Sequence, residues 1–231
     1  MLIHVGGERT VAIDLRLAAW LALAAGAINA AGFRSLGYFS ANMTGNVSTL
    51  SDMIALGTWR PALLVAALLA AFILGAFVST LLIEAGRRRR ILGIYAFSIL
   101  LEALLLLALA LLDIALPPQI GRWTMLLGLS LLMGLQNAAT THISDARVRS
   151  THVSGVATDI GIALALLTGR ADSAQVRPRL KLHGATLGAF LLGGVAGVWG
   201  YERAGALVFV AVALLLLALA LPQLGRARAA G

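Results

Sequence analysis

Residues 38–57, YFSANMTGNVSTLSDMIALG, and residues 150–168, STHVSGVATDIGIALALLT, decide how this chain is read. Each is polar in its first half and apolar only afterwards, and each follows a long hydrophobic run. A helix that crosses hydrocarbon needs about 20 mostly apolar residues. Neither segment supplies them, so each is expected either to be a half-helix entered through extended chain or to be a span of unusual polarity.

Working outward, six other segments are apolar enough to span, at about 12–32, 61–83, 91–112, 123–143, 184–200 and 205–221. The bulk composition agrees with a membrane chain. Of 231 residues 60% are hydrophobic and only 12% charged, and the mean hydropathy is +0.92. Soluble domains are nearer a quarter charged. The expected fold is therefore all-α: one polytopic membrane domain over 1–231, with six transmembrane helices plus two discontinuous or re-entrant ones. Residues 15–30 have the basic flank and short apolar stretch of a signal peptide. Residues 26–30 recur inside a later hydrophobic run, however, which a discarded leader has no reason to do.

The net charge of +8 is explained better by membrane orientation than by nucleic acid, because the basic residues sit between apolar runs and no reading motif accompanies them. If all eight segments crossed, the 18 Lys and Arg would divide 8 inside to 10 outside, with no bias. If the two polar segments dip in and return, the inside carries Arg9, Arg16, Arg87–Arg90, Arg147, Arg149, Arg170, Arg177, Arg179, Lys181, Arg226 and Arg228. Only Arg34, Arg60, Arg122 and Arg203 remain outside. The second arrangement obeys the positive-inside rule and puts both termini in the cytoplasm. Trp20, Trp59, Trp123, Trp199 and Tyr201 fall near segment ends, as interfacial anchors do, with Trp20 the poorest fit.

The chain also repeats itself. Gly26-Ala27-Ile28-Asn29-Ala30 matches Gly134-Leu135-Gln136-Asn137-Ala138, and Ser40-Ala41-Asn42-Met43-Thr44-Gly45-Asn46 matches Ser150-Thr151-His152-Val153-Ser154-Gly155-Val156. Ala71-Phe72-Ile73-Leu74-Gly75 then matches Ala189-Phe190-Leu191-Leu192-Gly193, in the same order. The first repeat covers 11–90 with 91–112 as its last helix, and the second covers 121–200 with 205–221 as its last helix. With six crossings the copies are inverted, a plan recurrent in transporters and channels whose site lies where broken helices meet. With eight crossings they would be parallel.

These residues resemble a known family. Phe39-Ser40-Ala41-Asn42-Met43-Thr44-Gly45-Asn46, Gly134-Leu135-Gln136-Asn137-Ala138 and Thr151-His152-Val153-Ser154-Gly155 are similar to the DUF1275 or YoaK-like (UPF0700) membrane proteins, over nearly the whole chain. The resemblance implies a multi-pass protein of the bacterial inner (cytoplasmic) membrane and specifies no activity.

A helix that starts at mid-membrane leaves N–H groups unpaired and a tip of about half an elementary charge. Thr44 and Ser154 are of N-cap type, and Gly45 and Gly155 allow close approach. The expected substrate-binding set is Asn29, Asn42, Thr44, Gly45, Asn46, Asn137, Thr151, His152, Ser154 and Gly155. The bland alternative is that these side chains only cap and join helices. Glu102 and Asp159 are acids within apolar segments and are candidates for carrying a coupling proton, with His152 as a relay, or else are satisfied structural acids. His142 and His152 lie ten apart with no third ligand in an established pattern, so no metal is expected, and nothing points to a cofactor. The glycosylation patterns at Asn42 and Asn46 would be buried in the membrane.

The leading functional expectation is a transporter or channel for a small solute or ion, with an anion or carboxylate suited to paired helix tips. A scaffold or regulator is the alternative, associating as a homodimer through the Gly-rich helix 184–200. An intramembrane enzyme using Ser150, Ser154, His152 and Asp159 is third, and no nucleophile motif supports it. The chain has no cysteine, so single cysteines report topology cleanly. Lys181→Cys in intact cells is expected to be protected from a membrane-impermeant maleimide and Arg203→Cys to react; reaction of position 181 from outside would reverse the orientation.

Overall fold

The computed structural model describes residues 2, 10–169 and 173–229. Arg9, Arg170 and the Arg228 side chain of the charge count lie outside what is described. The described elements are helices throughout: α1 (Val11–Leu36), α2 (Met43–Ala55), α3 (Trp59–Arg88), α4 (Ile94–Ala115), α5 (Pro118–Ser144), α6 (Val153–Thr168), α7 (Ser173–Ala204) and α8 (Leu207–Ala229). The chain is an all-α polytopic membrane protein.

Five of the described helices, α1, α3, α4, α7 and α8, are long and apolar enough to cross a membrane. The expected span at 123–143 is present as the 27-residue α5. It falls outside the five because its C-terminal half carries Gln136, Asn137, Thr140, Thr141 and His142. The two polar segments are short helices of 13 and 16 residues. At about 1.5 Å per residue they reach roughly 20 and 24 Å, less than the hydrocarbon thickness of about 30 Å. The basic segment 169–183, expected as a loop, is largely helix, since α7 starts at Ser173 and runs through Pro178. Lys and Arg are good helix formers, so positive charge marks the end of the apolar stretch without ending the helix.

Packing follows the repeat. α1 lies along α7, and α3 lies along α5. The two crossings use equivalent residues. A Cβ added at Gly26 would overlap the carbonyl of Phe190, and one at Gly193 would overlap that of Leu23. In the other pair, Gly134 abuts the carbonyl of Phe72 and Gly75 that of Leu131. These are the glycines of the first and third sequence matches. Backbone therefore meets backbone at both crossings, the close approach that small residues permit in membrane helices.

α4 and α8 pair with each other. Residues 103–111 and 213–221 share the sequence ALLLLALAL, an identity beyond the three matches above. Ala103, Leu106 and Ala110 are fully buried, and so are their counterparts Ala213, Leu216 and Ala220.

Helix directions follow from named contacts. Gly26 to Phe190 and Tyr201 to Ser35 make α1 and α7 parallel. Leu68 to Ser130 and Thr80 to His142 make α3 and α5 parallel. Equivalent helices, in contrast, are antiparallel: Leu36 meets Arg122 while Leu21 meets Gln136 across α1 and α5. Gly93 at the start of α4 meets Ala227 at the end of α8. One end of the bundle thus gathers Arg16, Arg87–Arg90, Arg147, Arg177, Arg179, Lys181 and Arg226. There Arg147 Nε lies 3.2 Å from the carboxylate of the buried Asp14. At the opposite end Arg34 pairs with Glu202.

The Gly-rich helix expected to dimerise spends Gly193 and Gly197 on α1 of its own chain, while Gly184 and Gly188 have open space where a Cβ would be. Gly193→Leu and Gly75→Leu are expected to cost at least the about 1–3 kcal/mol typical of overpacking, because the obstacle is main chain. Thermal denaturation in detergent should show a clear fall in Tm for both and none for Gly188→Leu; equal Tm in all three would contradict the packing.

Candidate functional site

α1 and α5 close at equivalent positions with a residue of left-handed conformation, Gly37 at φ 79° and Asp145 at φ 53°. Asp is one of the few side chains that tolerates this region, as Gly does freely. The chain then reverses and runs back beside the helix it has just left, over residues 37–42 in one half and 145–152 in the other.

Two equivalent asparagines hold these returning stretches. Asn29 Oδ1 accepts from the backbone N–H of Ala41 at 2.9 Å. Asn137 Oδ1 accepts from the Thr151 hydroxyl at 2.8 Å, and its Nδ2 donates to the Met133 carbonyl. Other bonds complete the tether. Asn46 Nδ2 donates to the Phe39 carbonyl at 3.1 Å, and Ser130 Oγ donates to the carbonyls of Leu68 and Ser40. In the second half the Ser150 hydroxyl donates to Gln136, and the Ser144 hydroxyl accepts from Val148 N–H. These bonds fix the irregular backbone of both stretches against the helices beside it.

The N-caps differ from expectation. α2 is capped by Asn42, whose Oδ1 accepts from Gly45 N–H at 3.1 Å, and the cap residue of α6 is His152. Thr44 and Ser154 stand one turn-position inside, at the second helical residue. The physical reason is that the chain enters the helix two residues earlier than the hydroxyl groups suggest. Gly45 and Gly155 make room for the cap side chains: a Cβ at Gly45 would meet Asn42 Nδ2, and one at Gly155 would meet the His152 ring. Both glycines therefore lie directly against the side chain of the residue that precedes their helix.

The helix starts face a cavity of about 840 Å³. It is lined from the first half by Asn29, Asn42, Thr44 and Gly45, and from the second by Asn137, Thr151, His152 and Ser154. Asn46 and Gly155 of the expected set do not line it; Asn46 is buried on the tether. Phe72 and Phe190, equivalent residues beside the crossing glycines, complete the wall together with Phe39, Met43, Val153, Thr141 and Arg149. Sequence reading missed Arg149, which it counted as a loop cation. Its Nη1 lies 3.5 Å from His152 Nδ1. The residue at the equivalent position of the first half is Phe39, stacked on Phe33 with ring centroids 4.1 Å apart. No Asp or Glu is among the described residues lining the cavity.

Both acids proposed for proton coupling lie elsewhere. Glu102 is fully buried on α4, one residue before the shared ALLLLALAL stretch, and neither carboxylate oxygen has a hydrogen-bond partner among the described residues. Its counterpart on α8 is Val212. Asp159 faces His183 at 3.8 Å in a separate pocket, so it forms no group with His152 and Ser154. His142 turns to Thr80 on α3, away from His152.

Asn29→Ala would leave the buried N–H of Ala41 unpaired, at a cost of about 1–3 kcal/mol. Asn137→Ala should cost less, because the Thr151 hydroxyl can rotate to another acceptor. Melting of the two purified variants checks this order; a larger loss in Asn137→Ala would contradict it.

In comparison with known proteins, the profile of one family, described as "Protein of unknown function (DUF1275)", matches residues 17–221. No curated protein and no solved structure matches the chain.

Proposed function

The chain belongs to the DUF1275 family, and from that premise we propose that it is a transporter or channel for a small anionic solute, bound between the starts of α2 and α6. The observation that carries this reading is the chemistry of the cavity wall. Two helix N-termini open on one space, and unpaired N–H groups with the helix dipole favour negative charge there. Arg149 adds a full positive charge beside His152, with no carboxylate among the described residues of the lining. Polar groups are costly in a membrane interior, and a cavity ringed with Asn, Thr, Ser and Arg is the arrangement expected of a solute path.

The same reading takes α1, α3, α4, α5, α7 and α8 as six crossings, with α2 and α6 re-entrant from opposite sides. The halves are then an inverted repeat. Antiparallel equivalent helices support it, as do the short lengths of α2 and α6. The Arg-rich end and both termini fall on the cytoplasmic side by the positive-inside rule. α5 crosses as a polar-lined helix, its Asn137 and Thr141 turned to the cavity and its Leu129 and Leu132 buried in the bundle. Of the two coupling candidates, Glu102 is retained for its burial at the α4–α8 pairing, and Asp159 is not, because it is half exposed and outside the solute path.

Reconstituted liposomes test the proposal with a panel of labelled small anions, carboxylates and neutral solutes. Uptake of an anion is expected, and Arg149→Ala should lower it about tenfold to a hundredfold, from roughly 1.5–3 kcal/mol for a hydrogen bond to a charged group. Thr44→Ala and Ser154→Ala should each lower it with membrane abundance intact. Undiminished anion flux in Arg149→Glu would overturn the reading.

A further inference from the structure

A second pocket, of about 470 Å³, opens at the basic end of the bundle between α6, α7 and the turn after α5. Its two walls differ in kind. One is apolar, made by Ile162, Leu166 and Leu182. The other is basic, made by Arg147, Arg179 and His183, with Asp159 as the one acid among the described lining residues. Asp159 lies 3.8 Å from His183, and Arg147 is engaged by the buried Asp14. Arg179 is the cation of this wall with no hydrogen bond or ion pair to any described residue.

The apolar wall does not stop at the pocket. Ile162 and Leu166, one turn apart on α6, are 54% and 45% exposed, so the wall is continuous with the outer surface of that helix. Arg177 and Lys181 stand on the exposed side of α7 on either side of Arg179, raising the local positive potential. A pocket with a cationic mouth at the headgroup level and an apolar flank open to acyl chains matches the chemistry of an anionic phospholipid. We propose that this pocket binds one anionic phospholipid, its phosphate on Arg179 and the upper part of an acyl chain along Ile162 and Leu166. The site is separate from the central cavity and does not depend on what passes through it.

The apolar wall distinguishes a lipid from a free phosphate, which would use only the basic one. Delipidated full-length protein in detergent is titrated with dioleoylphosphatidylglycerol, dioleoylphosphatidylcholine and inorganic phosphate, and bound molecules are counted by native mass spectrometry. Saturable binding of one phosphatidylglycerol, at least tenfold tighter than phosphatidylcholine, is expected. Arg179→Glu should weaken it at least tenfold, and Leu166→Ser severalfold, with unchanged melting in lipid-free detergent because both side chains are exposed. Arg60→Glu, at the other end of the bundle, should bind as the parent does. Equal binding of the two lipids, full binding by Arg179→Glu, or equal occupancy by inorganic phosphate with no advantage from acyl chains would each overturn the proposal.

Discussion

Non-helical backbone folded back against a helix needs partners on protein for its buried hydrogen-bonding groups, and the architecture around the cavity answers to that constraint. Residues 37–42 and 145–152 are irregular chain of turns and bends folded back against α1 and α5. Without the acceptor on Asn29, the Ala41 N–H would be a buried orphan; without Asn137, Thr151 would lose its anchor. Once both stretches are pinned, α2 and α6 both begin at the wall of one cavity. The cavity is a consequence of the tether.

The bundle that holds the tethers is symmetric, and the chemistry inside it is not. Gly26, Gly75, Gly134 and Gly193 bring backbones together at two equivalent crossings, and Phe72 and Phe190 flank the cavity from each. Around that frame Ala41 is replaced by Thr151, Asn42 by His152 and Phe39 by Arg149. The second half therefore carries the charge and the first half carries the stacked ring pair. Glu102 opposite Val212 is an asymmetry of the reverse sense, with the acid on α4 of the first half. Such substitutions in one copy or the other of a duplicated frame leave the shared packing glycines in place while making the two halves chemically different.

The sequence made the membrane class, the repeat and the two interrupted segments legible because each rests on composition or periodicity. The Asn–Thr/Ser–Gly clusters led to the cavity for the same reason: polar residues in apolar surroundings stand out. What it did not carry was direction and facing. Arg149 reads as one more loop arginine until the chain is seen to double back beside Asn137. Thr44 and Ser154 read as caps because hydroxyls are good caps, yet Asn42 and His152 come first along the helix. Asp159 lies within two turns of His152 in sequence, but α6 points it outward toward His183. The Gly-rich run of α7 reads as one surface, yet Gly193 and Gly197 meet α1 of the same chain while Gly184 and Gly188 face open space.

The central claim is that two tethered half-helices bring their N-terminal ends to one interior space. Short bifunctional thiol reagents test it directly, since the chain contains no native cysteine. Cross-linking is predicted for the pair Thr44→Cys and Ser154→Cys within one chain, and none for Thr44→Cys with Thr168→Cys, whose second position lies at the far end of α6. Failure of the first pair, or equal yield in the second, would contradict the account.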